Sequence, residues 1–247
     1  MKQIKGILFD KDGTLIDFYS GWVPVATQTA DLLLEDYGLQ DDPSAKESLL
    51  CAIGLHGNHI DPKGILASGT TQDIAEAFMR VLRERGTNPD KLELLQDWLT
   101  EELYRLTQSN RHNLKPTADL HRLLGQLRRH GLKIGIATAD DLESTTFFLE
   151  HAGVAAYFDF IGTSDRFDKK PNPSMIRAFC EAGGLRAEEV AVAGDTLTDI
   201  RFARNGSAGI AIGVLSGVSG LSELQGADLV LRTVGDIVTG DGRLIWH

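Results

Sequence analysis

Short apolar runs recur along the chain, each closing on a polar residue or a glycine. They lie at residues 4–9, 133–137, 190–193 and 208–213, with weaker runs at 157–161 and 228–231. Runs of this length, rich in Val, Ile and Ala, read as buried strands. The segments between them carry a helical period. Leu120, Leu123, Leu124 and Leu127 fall at i, i+3, i+4 and i+7, and Gly131 suits a left-handed stop. Asn172-Pro173 reads as a helix N-cap followed by Pro at the first helical position. Ile176 and Phe179 then supply the apolar stripe and Gly183 the end. Strands alternating with helices predict βαβ units. The expected fold class is α/β, a Rossmann-like parallel sheet with helices on both faces.

Residues 16–116 break that alternation and offer no confident strand. Helices are expected at 22–37, closed by Gly38, and at 69–85, closed by Gly86. A third is expected from Asn88-Pro89, with Leu92, Leu95, Leu99, Leu103 and Leu106 near one face. The expected organisation is therefore a core from 1–15 and 117–247, with a helical cap domain at 16–116. A lid of that kind excludes water and helps choose substrates.

Composition narrows the partners. The 247 residues carry a formal charge of −10 and a pI of about 5.1. That balance excludes nucleic acid and an anionic membrane as partners, since both require a basic surface. Cys51 and Cys180 sit in apolar-periodic stretches and read as small packed hydrophobes. Neither a signal-like segment nor a membrane-length apolar run is evident. The expectation is a soluble, cytoplasmic protein, monomer or homodimer.

The chemistry lies at the ends of the predicted strands. Asp10 and Asp12 follow the first, Thr138 follows residues 133–137, and Asp195 and Asp199 follow residues 190–193. Lys170 stands in the run Asp168-Lys169-Lys170-Pro171. Each has a bland reading alone: a turn, a solvated cation, a carboxylate starting a helix. A parallel sheet, however, gathers the carboxyl ends of its strands at one edge, where ligands bind. Several carboxylates, a hydroxyl and an ammonium at one edge match phosphoryl transfer assisted by Mg2+. The hard cation takes oxygen ligands and relieves the repulsion of the carboxylates, while an Asp attacks phosphorus. Thr138 and Lys170 would hold phosphoryl oxygens.

The segments Asp10-Lys11-Asp12-Gly13-Thr14-Leu15, Thr138, Lys170-Pro171-Asn172-Pro173 and Gly194-Asp195-Thr196-Leu197-Thr198-Asp199 occur in the order of the haloacid dehalogenase superfamily motifs. The chain resembles the branch with a helical cap after the first motif, and within it the phosphoglycolate-phosphatase-like proteins. The resemblance implies Asp10 as nucleophile and metal ligand, and Asp12 as general acid and then base, its backbone carbonyl also on Mg2+. It implies Asp195 as the further metal ligand and Asp199 as the group orienting Lys170 or a metal-bound water. Backbone N–H groups near Lys11, Asp12 and Thr138-Ala139 would bind phosphoryl oxygens. Lys11 departs from the apolar residue common in this branch and, by alternation, is expected to face away from Asp10 and Asp12 as a structural or surface residue. Phe18 and Ser174 also depart from the branch pattern.

The Gly-rich stretch at 54–64 is the expected specificity loop of the cap, with His56 and Lys63 toward substrate. Arg111, His112 and Lys115 near the cap's exit are further candidates. The implied function is a Mg2+-dependent phosphatase hydrolysing a small phosphorylated metabolite, phosphoglycolate-like, through an aspartyl-phosphate. The alternatives are a phosphosugar mutase or phosphonatase on the same scaffold, or a non-catalytic binding protein.

Overall fold

The computed structural model describes residues 3–87 and 92–246. The chain divides into two compact units, Met1–Phe18 with Leu114–His247, and Tyr19–Asn113.

The first unit is built on a six-stranded sheet. Its strands are β1 (Gly6–Phe9), β4 (Lys133–Ala137), β5 (Phe160–Gly162), β6 (Val190–Gly194), β7 (Ile210–Val214) and β8 (Leu229–Leu231). They run in the order β5-β4-β1-β6-β7-β8, and every pairing is parallel. Strand β1 is central, with Phe9 in register with Ile136 on one side and Ala193 on the other. A sheet buried on both faces requires apolar residues at successive positions, and β1 and β6 have them. Successive side chains serve opposite layers. Ile7, Phe9, Ala191 and Ala193 pack with Leu120, Leu123, Leu124, Leu127 and Phe148, from α6 (Leu120–Arg129) and α7 (Leu142–His151). Leu8, Val190 and Val192 pack instead with Met175, Ile176, Phe179, Ile200 and Phe202, from α8 (Ser174–Gly183) and α9 (Leu197–Asn205). Helices thus cover both faces, as the periodicity predicts.

After β1 the chain turns back on itself. The amides of Leu15 and Ile16 both donate to the Lys11 carbonyl, at 2.8 and 3.1 Å. The segments leading out of and back into this unit pair: Asp17 N donates to Lys115 O at 2.8 Å, Thr117 N to Leu15 O at 3.0 Å, and Ile16 bridges Pro116 antiparallel.

The second unit is mainly helical. It contains α1 (Phe18–Asp36), α2 (Pro43–Ala52), α3 (Ile65–Ser68), α4 (Thr71–Glu84) and α5 (Leu95–Ser109). Its core includes Leu49, Ile74, Phe78, Leu82, Leu99 and Leu106. Helix α4 starts in a capping box: Asp73 N donates to Thr70 Oγ1 at 3.3 Å, and Thr70 N to Asp73 Oδ2 at 2.8 Å.

Several expectations change in detail. The stretch expected to lack strands holds a hairpin, β2 (Leu55–His56) and β3 (His59–Ile60), with Leu55 opposite Ile60 and His56 opposite His59. Two residues per strand give no readable alternation, although Leu55 and Ile60 are buried and both His exposed. Helix α8 begins at Ser174, one residue later than Pro173 suggests. Asn172 Oδ1 accepts from Ser174 N at 3.0 Å, and the left-handed stop is Gly184 rather than Gly183. The helix start at Asn88-Pro89 lies outside the described residues. Among the described residues no helix is long and apolar enough to cross a membrane.

Candidate active site

Asp10 follows the last residue of β1 and is fixed by its own amide, which donates to Ala193 O at 2.8 Å. Asp195 follows the last residue of the adjacent β6, and Asp199 lies in the first turn of α9. Parallel neighbours with these registers place the two strand ends side by side. Carboxylate oxygens of Asp10, Asp195 and Asp199 all lie within 4.8 Å of one another. Lys170, from the loop before α8, reaches into the cluster. Its Nζ donates to Asp10 Oδ1 at 2.6 Å and to Asp199 Oδ1 at 2.6 Å.

Asp199 has two tasks. Its other oxygen accepts from Thr196 N at 3.1 Å and Thr196 Oγ1 at 2.7 Å, so it both caps α9 and anchors Lys170. Asp195 is only 1% exposed, and its Oδ2 accepts from Val218 N at 2.9 Å. Two glycines make room for its carboxylate. A Cβ on Gly13, whose φ is +81°, or on Gly217 would lie inside van der Waals distance of it.

The electrostatics are unbalanced. Burial pushes the Asp10 carboxyl up to about 7, with Asp199 and Asp12 adding to the effect and Lys170 opposing it. Burial, then Asp10 and Asp199, likewise hold Asp195 well above the usual carboxylate range. Burial opposes the charge of Lys170, but Asp10 and Asp199 outweigh it and keep the ammonium above its ordinary range. Three carboxylates against one ammonium leave an excess negative charge in a buried site. A purely oxygen donor set of this charge and spacing fits a hard divalent cation such as Mg2+.

Thr138 is buried at the end of β4. Its amide donates to Gly162 O at 3.0 Å, and its Oγ1 accepts from Asp140 N at 3.1 Å. Ala139 beside it is partly exposed. Asp12 lies outside the carboxylate cluster: its Oδ2 is 2.7 Å from the Lys11 ammonium. Lys11 corrects the expectation of a side chain facing away from Asp12. It is 3% exposed, and it also pairs with Asp140 at 3.0 Å. The alternation rule belongs to a strand, and β1 ends at Phe9. Beyond it the turn that gathers amides on the Lys11 carbonyl redirects the side chains.

The model of haloacid dehalogenase-like hydrolases matches residues 4–206 of the chain. The chain belongs to this family. Among curated relatives, a phosphoglycolate phosphatase of Vibrio parahaemolyticus is 28% identical over 205 residues, covering 83% of this chain and 81% of the relative. A phosphoglycolate phosphatase of Photorhabdus laumondii is 26% identical over 246 residues, covering 98% and 94%. Among solved structures, CbbY from Rhodobacter sphaeroides in complex with phosphate superposes with a TM-score of 0.69 at 20% identity, covering 97% of this chain and 99% of that one. A β-phosphoglucomutase from Clostridium difficile superposes at 0.64 and 17% identity, covering 95% and 93%. At these identities the two structures establish the fold.

His56 and Lys63 belong to the second unit, where both are exposed; Lys63 N donates to Asp61 Oδ1 at 2.9 Å. Sequence reasoning also missed Asp140 and Gly217. Asp140 had only its place two residues after Thr138 as a signal. Gly217 had no local signal tying it to Asp195.

Proposed function

We propose that the protein is a Mg2+-dependent phosphatase that hydrolyses a small phosphomonoester through an aspartyl-phosphate on Asp10, with phosphoglycolate one candidate substrate. The observation that carries this reading is the buried cluster of Asp10, Asp195 and Asp199 with Lys170 bridging two of them. Asp10, Asp195 and the backbone carbonyl of Asp12 would hold the cation, which supplies neutralisation of phosphoryl charge. Lys170 and Thr138, with the amide near Ala139, would hold phosphoryl oxygens. Asp10 attacks phosphorus while Asp12 protonates the departing oxygen. Asp12 then takes a proton from the water that cleaves the intermediate. The helical segment at 16–116 would act as the cap, with His56 and Lys63 contributing to substrate choice. The names of the curated relatives support the substrate class.

Replacing Asp10 with Asn tests the mechanism. Hydrolysis should fall to background with the circular dichroism spectrum and melting cooperativity unchanged. Wild-type turnover in D10N would overturn the proposal. A phosphate-release screen over phosphorylated metabolites identifies the substrate, and inorganic phosphate as the main product excludes a mutase.

A further inference from the structure

Beside the cluster of Asp10, Asp195, Asp199 and Lys170 lies a second set of charges around Asp12, of which Lys11 and Asp140 have no part in the proposed steps. Lys11 is nearly inaccessible, and its Nζ lies 2.7 Å from Asp12 Oδ2 and 3.0 Å from Asp140 Oδ2. The same ammonium sits 6.0 Å from the centre of the Phe148 ring. Asp140 is itself held. Its Oδ1 accepts from Asp141 N at 2.9 Å, its carbonyl accepts from Ser164 N at 3.0 Å, and its amide donates to Thr138 Oγ1 at 3.1 Å. A continuous path of ion pairs and hydrogen bonds therefore runs Asp12–Lys11–Asp140–Thr138. It ties the loop after β1 to the loop after β4.

We propose that Lys11 is a positioning residue, anchored on Asp140, that fixes the Asp12 carboxylate for its proton transfers and holds it in register with the Thr138 loop. The inference rests on the phosphatase reading, in which Asp12 serves both half-reactions. A buried ion pair gives little net stability over apolar side chains of similar volume, whereas it strongly restricts where its partners sit. Without Lys11 the Asp12 side chain loses a charged hydrogen-bond partner in the site and gains rotational freedom. A carboxylate out of place transfers protons poorly even when the nucleophile is intact.

The two half-reactions separate this effect. In the first, an Asp10 oxygen forms a bond to phosphorus, the ester P–O bond breaks, and the leaving oxygen takes a proton from Asp12. In the second, water oxygen bonds to phosphorus and its proton passes to Asp12. The P–O bond to Asp10 breaks, releasing inorganic phosphate and restoring the carboxylate. p-Nitrophenolate leaves without needing that first proton, so with p-nitrophenyl phosphate Asp12 can enter turnover as the carboxylate, and only the second step, in which it takes the proton of water and then passes it to solvent, depends on it.

The test is rapid-mixing kinetics with p-nitrophenyl phosphate and Mg2+ on wild type, Lys11→Met and Asp140→Asn, with thermal melting of each. Both variants should form the intermediate within about twofold of the wild-type rate, while steady-state turnover falls roughly tenfold or more. Asp140→Asn leaves Lys11 and Asp12 in place and removes only the anchor, so it reports the same split independently. Both phases within about twofold of wild type would overturn the inference. So would both phases falling together in step with the melting temperature, the signature of a purely structural role. A wild-type protein that releases neither nitrophenolate nor phosphate would overturn the phosphatase reading and, with it, this inference.

Discussion

Asp10, Asp195 and Asp199 form a site that is costly without a cation. Each is buried or nearly so; Asp199 raises the energy of a charge on Asp10, and Asp10 and Asp199 raise that of a charge on Asp195. Asp195 is the residue at which this is best tested. Asp195→Asn removes one buried charge and one oxygen ligand. In the presence of a chelator the variant should melt higher than wild type, because a repulsive group is gone. On adding Mg2+ the order should reverse, because only wild type gains the ligand. Gly217→Ala should weaken the Mg2+ response without removing a carboxylate, since its Cβ would collide with Asp195. Differential scanning fluorimetry with and without Mg2+ measures all three proteins. Asp195 was legible from its place after a strand. Its glycine neighbours in space were not, because Gly13 and Gly217 lie far from each other in sequence and meet only around its carboxylate.

Among the elements, β1 and β6 carry the site, and their alignment is reinforced away from it. Lys5, just before β1, donates its amide to Glu189 O at 2.7 Å, and its ammonium is 2.7 Å from Glu189 Oε1. Glu189 immediately precedes β6 and also accepts from Arg186 N at 2.9 Å. The Lys5 hydrogen bond first, and then those from Arg186, hold the Glu189 carboxyl at about 2, below its ordinary 4.5. A carboxyl with a depressed folded value stabilises the fold above its unfolded value and loses that contribution as pH falls through the folded one. Wild type should therefore exceed Glu189→Gln in stability above pH 4.5, with the gap closing as pH falls toward 2. Urea unfolding across that range checks the sign. The pairing of these elements was visible only as two apolar runs. Which strand lies beside which is a tertiary matter, and the order β4-β1-β6 places side by side strands widely separated along the chain.

For the whole molecule, the net charge of −10 and the carboxylate cluster point the same way. A divalent cation that binds the folded state and not the unfolded chain stabilises it by about 2.7 kcal/mol at roughly 100 times its Kd. The melting temperature should climb with Mg2+ concentration and return on chelation. A melt indifferent to Mg2+ would count against the metal reading. The two units make the transition itself informative, since Tyr19–Asn113 has its own buried core and none of the three clustered carboxylates. Amide exchange should show the Mg2+ effect concentrated in β1, β6 and the start of α9.

Local pattern alone determined the six strands of the parallel sheet and most helices, because apolar runs, i/i+4 stripes and Gly or Pro stops are short-range signals. Asp10, Asp12, Thr138, Lys170, Asp195 and Asp199 were all named from those signals and from motif order. Tertiary structure decided what each carboxylate touches. Asp10, Asp195 and Asp199 share one cluster, while Asp12 pairs with Lys11, which also pairs with Asp140. Alternation predicts side-chain direction only while the chain stays a strand. Past Phe9 the turn decides direction, and the turn depends on contacts far along the chain, such as that of Ser216 Oγ with the Gly13 carbonyl at 2.8 Å. The destination of Lys11 was therefore beyond the reach of any local rule.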